Sequence, residues 1–241
     1  MSLPDPDAQP ASYQRWAALC REVNADAERS RRFREQRYAF NHRLARHLVE
    51  NLPARRRDQV IYAVHLAGDH PCPAYLGTST EGHRRLWDLP VGESHHLSNT
   101  YPPETWERVT ILHWRQVLME ESYDLTTLAA QVGEHFPVEP AEVMKLIGMG
   151  IEFLFQKETN PELNIRIKLR RGGFRKAGLD TSASRQALIA RRWMEPLFPI
   201  LWDHWQKLGA AAAGHAGPAL HTPTGSVVFP TRIFAEMLAE G

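Results

Sequence analysis

Two tyrosines, Tyr62 and Tyr75, a Tyr-Leu-Gly run at 75–77 and a basic pair, Arg84 and Arg85, stand within the stretch "VIYAVHLAGDHPCPAYLGTSTEGHRRLWDL" (60–89). A guanidinium offers a planar fork to phosphate oxygens, and a phenol can donate or accept a hydrogen bond beside it. Phosphate chemistry uses these residue types, but it also needs a carboxylate, which the stretch lacks. It is either a hairpin that props up a helix or half of a site completed further along. The other reactive groups fit less well. Glu120 and Glu121 are adjacent, so on a helix they point in different directions. His95 and His96 lie in a polar segment with no further ligands at metal spacing. Cys20 and Cys72 are far apart and form no CxxC. No GxSxG, P-loop or GxGxxG is present.

The elements that must position these residues can be read from pattern. "QVIYAVHL" (59–66) and "AYLGT" (74–78) predict two antiparallel strands around the turn "AGDHPCP". Ser79 or Thr80 then caps a short helix carrying Arg84, Arg85, Leu86 and Trp87, which Pro90 ends. "TWERVTILHW" (105–114) favours a third strand through its Val-Thr-Ile core. "EPAEVMKLIGMGIEFLFQKE" predicts a helix with Pro140 in its first turn and a broad apolar face, broken at "TNPELN". Glu152 sits inside its most apolar part, where an unpaired carboxylate is costly to bury. An ion pair with Arg85 or a metal would each account for it. Residues 11 to about 51 read as helical, without Gly or Pro, and a Trp-rich helix is predicted from about 184 to 208.

Together these positions resemble the GIY-YIG nuclease family. Its Gly-Ile-Tyr element corresponds to Val60-Ile61-Tyr62 and its Tyr-Ile-Gly element to Tyr75-Leu76-Gly77, with Arg85 ten positions after Tyr75. The family's metal-binding glutamate, with a proline nine and an asparagine twelve positions on, corresponds to Glu152, Pro161 and Asn164. Several constraints meet in one order over residues 58–166. The resemblance implies an α+β fold, with a small three-stranded antiparallel sheet flanked by helices and helical N- and C-terminal extensions. It further implies that Glu152 holds a single Mg²⁺ (or Mn²⁺) and that Arg85 grips phosphate oxygens. Tyr62 and Tyr75 would face one another across the hairpin and orient the attacking water, one of them taking its proton. Asn164 would hold the loop after the Glu152 helix, and Gly77 would allow a tight turn after the second strand. There are departures. Val60 replaces the family glycine, the turn between the tyrosines is a little long, and a helical insertion occupies about 115–140. Leu89 stands where the family often has His or Tyr, with His83, His95 and His96 as the neighbouring histidines.

Net charge is only +1, but it is segregated. Residues 164–192 hold nine basic residues against one acid, and 93–158 hold eleven acids against four bases. A basic face can then meet phosphates on a chain near neutral overall. Arg84, Lys168, Arg170, Arg171, Arg175 and Lys176 are the expected nucleic-acid contacts. Composition and pattern show no signal peptide and no apolar run of membrane length, so a cytoplasmic chain without membrane contact is expected. The organisation expected is a helical N-terminal extension (1–57), a nuclease-like core (58–166) and a basic, Trp-rich helical region (167–241). The function expected is a divalent-metal-dependent DNA endonuclease of restriction, defence or mobile-element type; a cutter of both strands would be a homodimer or larger assembly. The alternative is a DNA-binding protein that retains the fold without cleavage.

Overall fold

Val60–Leu66 (β1) is buried along its whole length, which requires helices over both faces of its sheet. The computed structural model, which describes residues 11–52, 59–66, 72–91, 97–136, 138–161, 163–164, 166–168, 174–176 and 185–240, has that layered arrangement. The further strands in chain order are β2 (Tyr75–Ser79), β3 (Trp106–Leu112), β4 (Arg166–Lys168), β5 (Phe174–Lys176), β6 (Ala219–Thr222) and β7 (Gly225–Val228). β1 pairs antiparallel with β2 and with β3, the strands predicted around 59–66, 74–78 and 105–114. The sheet continues through β7 and β6 in the order β2-β1-β3-β7-β6. The three-stranded expectation is thus corrected to a five-stranded antiparallel sheet, and the C-terminal region expected to be helical supplies its last two strands. Four-residue segments such as "ALHT" and "GSVV" carry too little alternation to announce themselves. Pairing of β7 with β3 makes them strands. β4 and β5 form a separate two-stranded ribbon.

The helices are α1 (Ala11–Val23), α2 (Ala27–Val49), α3 (Gly82–Asp88), α4 (Leu97–Thr100), α5 (Trp114–Glu120), α6 (Leu125–Gly133), α7 (Pro140–Thr159), α8 (Arg185–Met194), α9 (Phe198–Ala213) and α10 (Pro230–Glu240). The strand period of two sorts the core into two layers. Val60, Tyr62, Val64, Tyr75, Val109 and Ile111 face Phe40 and Leu44 of α2, Leu86 of α3 and Ile233 of α10. Ile61, Ala63, Leu76, Leu112 and Val227 face the layer of α5, α7, α8 and α9, through Val117, Ile151, Ala190 and Leu201. The long N-terminal helix read from pattern is two helices. Asp26 turns extended between them, and its carboxylate accepts from Arg29 N at 2.7 Å to cap α2. The Trp-rich helix is likewise two, α8 and α9, separated at 195–197, where Pro196 cannot continue the hydrogen-bond ladder. Among the described residues no helix is long and apolar enough to cross a membrane.

Candidate active site at the sheet edge

Register decides which groups meet. Tyr62 lies opposite Gly77, and Tyr75 lies opposite Val64, so the two tyrosines meet across the hairpin as diagonal neighbours, their phenols hydrogen-bonded to one another. Their ring centroids are 6.1 Å apart. The space comes from Gly77: a Cβ there would stand 2.9 Å from the Tyr62 phenol oxygen and 2.9 Å from a Tyr75 ring carbon. Gly77 is therefore a mid-strand residue required for close approach, not the turn-maker expected from sequence. Tyr62 is wholly buried and cannot move aside cheaply. Gly77→Ala is expected to cost about 1–3 kcal/mol by overpacking, read as a lower urea midpoint. An unchanged midpoint would remove the packing account.

Arg85 reaches in from α3. Its Nε donates to the Tyr62 oxygen at 2.8 Å, and it also interacts with the Tyr75 phenol. Burial works against its charge, yet the two phenol oxygens hold its pKa above the ordinary value. Burial likewise drives Tyr62 above its usual range, against the pull of Arg85, and drives Tyr75 well above it. Both phenols are therefore protonated at neutral pH, and neither is a base there. Successive helical residues point about 100° apart, so Arg84 leaves the cluster. It is exposed, 3.8 Å from Glu81 in a surface ion pair.

The carboxylate arrives from the other layer. α7 comes close to the edge strand because Gly148 lacks a side chain: a Cβ there would stand 3.1 Å from Thr78 Oγ1. Glu152 and Gln156 follow at intervals of four, so they share that side of the helix. Gln156 Nε2 donates to Glu152 Oε1 at 2.8 Å. Glu152 keeps some exposed surface, but burial still raises its carboxyl to about 7, with Arg85 pulling the other way. It acts electrostatically on Tyr62 and Tyr75 as well. To hold a cation this carboxyl would have to lose its proton, with the Gln156 amide and the Arg85 charge beside it.

The spacing from Glu152 through Pro161 to Asn164 has a geometric reason. α7 ends at Asn160 in the left-handed region (φ 48°, ψ 57°), and Pro161 cannot extend it. The chain then returns to the edge strand, where Leu163 N donates to Ala74 O at 2.9 Å. Asn164 completes the edge: its Oδ1 accepts from Leu76 N at 2.9 Å and its Nδ2 donates to Leu76 O at 2.7 Å. Leu76 lies between Tyr75 and Gly77, so Asn164 is a positioning residue that fixes the backbone bearing the site. Asn164→Ala leaves a strand-edge donor and acceptor unmade and is expected to cost about 1–3 kcal/mol, measured by denaturant unfolding. A cost near zero would show that water replaces the amide.

The remaining positions divide. Leu89 is buried in the layer with Leu86 and Tyr62, so no imidazole or phenol occupies that place. His83 stacks on Trp87, ring centroids 6.3 Å apart. His95 and His96 lie outside the described residues, as do Arg170 and Arg171. Lys168 is on β4, and Arg175 and Lys176 are on β5. Glu120 and Glu121 are surface groups bonded to Gln116 and His204. Sequence reasoning missed a cleft of about 360 Å³ beside the end of α3, lined by Arg34, Arg37, Tyr38, Asn41, Pro90, Val91 and Ser98. Its legible signal was the run "RSRRFREQR" with an apolar-faced helix behind it. In comparisons with known proteins, no family model, no curated protein and no solved structure matches the chain.

Proposed function

We propose that this chain is a GIY-YIG-type endonuclease that hydrolyses DNA phosphodiester bonds with Mg²⁺ or Mn²⁺. The observation that carries the proposal is the convergence of Tyr62, Tyr75, Arg85 and Glu152, from β1, β2, α3 and α7, on one electrostatically coupled cluster. Glu152 would hold the cation, which when bound neutralises charge at phosphorus and activates water. Arg85, held in place by the phenols of Tyr62 and Tyr75, would present its planar guanidinium to phosphate oxygens. The protonated phenols orient the attacking water; their raised pKa values speak against either one taking its proton. Gln156 aligns the carboxylate and Asn164 aligns the strand. Arg84, the basic β4–β5 ribbon and the cleft lined by Arg34 would contribute phosphate contacts, which give affinity and not sequence reading. One cluster cuts one strand, so cleavage of both strands would use two copies of the chain.

Supercoiled plasmid and single-stranded DNA incubated with Mg²⁺ test the proposal. Cleavage by the wild type, abolished by chelator and by Glu152→Ala, is expected. Cleavage by both proteins, or by neither, would overturn the role of Glu152. The buried Leu89 favours a second reading, a DNA-binding protein without cleavage. Salt-dependent DNA binding with no cleavage in any divalent metal would identify it.

A further inference from the structure

At the opposite edge of the sheet, His47 and Glu50 at the end of α2 meet His221 on β6. His47 Nδ1 lies 3.4 Å and His221 Nε2 lies 3.2 Å from the same carboxylate oxygen, Glu50 Oε2. All three ligand atoms fall within 4.8 Å of one another. We propose that these three side chains form a binding site for a borderline transition-metal dication, Zn²⁺ being the best match, with its fourth position open to water.

Three observations carry this. First, bonds of about 2.05 Å on a tetrahedral ion separate adjacent ligand atoms by about 3.3 Å; the two contacts to Glu50 Oε2 stand at that separation. Second, His47 Nδ1 is buried and has no hydrogen-bond partner among the described residues, despite its nearness to Glu50. The geometry is wrong for a hydrogen bond, whereas an ion lying between the groups would use the lone pair. Third, the outer shell is in place. Ser226 faces His221 across the β6–β7 pair, and its hydroxyl lies 3.0 Å from His221 Nδ1. His221 Nε2 lies within hydrogen-bond distance of Glu50 Oε2; with the proton on Nδ1 and directed at the Ser226 hydroxyl, Nε2 would instead turn its lone pair toward an ion, the arrangement that orients metal-binding histidines.

Two imidazoles and a carboxylate suit zinc, while Mg²⁺ prefers oxygen ligands and retained water. The ion would tie α2 to the last strand of the sheet, joining segments 171 residues apart in sequence (Glu50 to His221). The proposal does not rest on nuclease activity.

The test is titration of the full, untagged, chelator-stripped chain with Zn²⁺ and separately with Mg²⁺, followed calorimetrically and by thermal unfolding. One equivalent of Zn²⁺ should bind and raise the unfolding midpoint, and excess Mg²⁺ should not displace it. Ser226→Ala should weaken binding about tenfold. His221→Gln and Glu50→Gln should weaken it further. Wild type loaded with Co²⁺ should show visible absorption bands that His221→Gln lacks, a readout that does not depend on equal stability. Absence of Zn²⁺ binding, or binding that both variants retain, would overturn the site.

Discussion

Glu152→Gln is expected to lower Mg²⁺-dependent cleavage by about a thousandfold or more, roughly 4 kcal/mol of transition-state stabilisation, while stabilising the metal-free protein above neutral pH. The two effects have one source. Burial raises the Glu152 carboxyl from 4.5 to about 7 in the folded chain. Between those values the folded state holds a proton that the unfolded state has released, so stability falls as pH rises through the window and levels off above it. The gap corresponds to about 3 kcal/mol at most. Glutamine has the same shape, cannot ionise and escapes that loss. Wild type and variant should therefore unfold alike at pH 4, and the variant should be the more stable at pH 8. Mg²⁺ should raise the wild-type midpoint at pH 8 and leave the variant unmoved. Urea unfolding across pH, with and without Mg²⁺, reads all of this. Parallel pH profiles would mean that Glu152 is solvated like any surface carboxylate. A variant that still cuts would mean that the cation is held elsewhere.

Arg85→Lys is expected to reduce cleavage by about 10²–10³-fold, the size of losing one preorganised donor to developing charge. Charge alone does not explain Arg85, because lysine retains it. The guanidinium engages the oxygens of both Tyr62, at 2.8 Å, and Tyr75 from one planar group, whereas an ammonium is a point charge on a flexible stem. DNA affinity, measured without cleavage in Ca²⁺, should change only a few-fold, so the loss should appear in turnover. Its neighbour supplies the contrast. Arg84→Ala should weaken binding evenly across sequences and reduce the salt slope by about one, with turnover of bound DNA retained. If the two arginines behaved alike, Arg85 would be a phosphate contact and nothing more.

The hairpin and its following helix were legible because each is a local pattern bounded by Gly or Pro, and the third strand through its Val-Thr-Ile core. α7 was legible for the same reason, and its Glu152 stood out as a charge in an apolar run. The positions of Pro161 and Asn164 could be counted from sequence, but why they fall there could not. The helix must stop at Asn160, reverse, and bring an amide to Leu76 on the strand edge. Gly77 invited a turn reading because glycine's conformational freedom is its commonest use; the strand register shows that it is the missing Cβ that matters.

What the amino-acid sequence determined by itself was the set of short elements and the chemistry placed on each: phenols on strands, a guanidinium on a short helix, a carboxylate on an apolar helix. Period and punctuation act over a few residues, and those are the distances over which a chain's pattern is informative. Only the tertiary structure decided which groups meet. Pairing register set Tyr62 over Gly77, and the docking of α3 placed Leu89 in the core layer with Phe40 and Leu86. Closure of β7 onto β3 built the second half of the sheet and carried His221 to His47 and Glu50. Such meetings depend on long-range pairing and on burying both faces of the sheet at once, and neither leaves a periodic trace in the segments that take part.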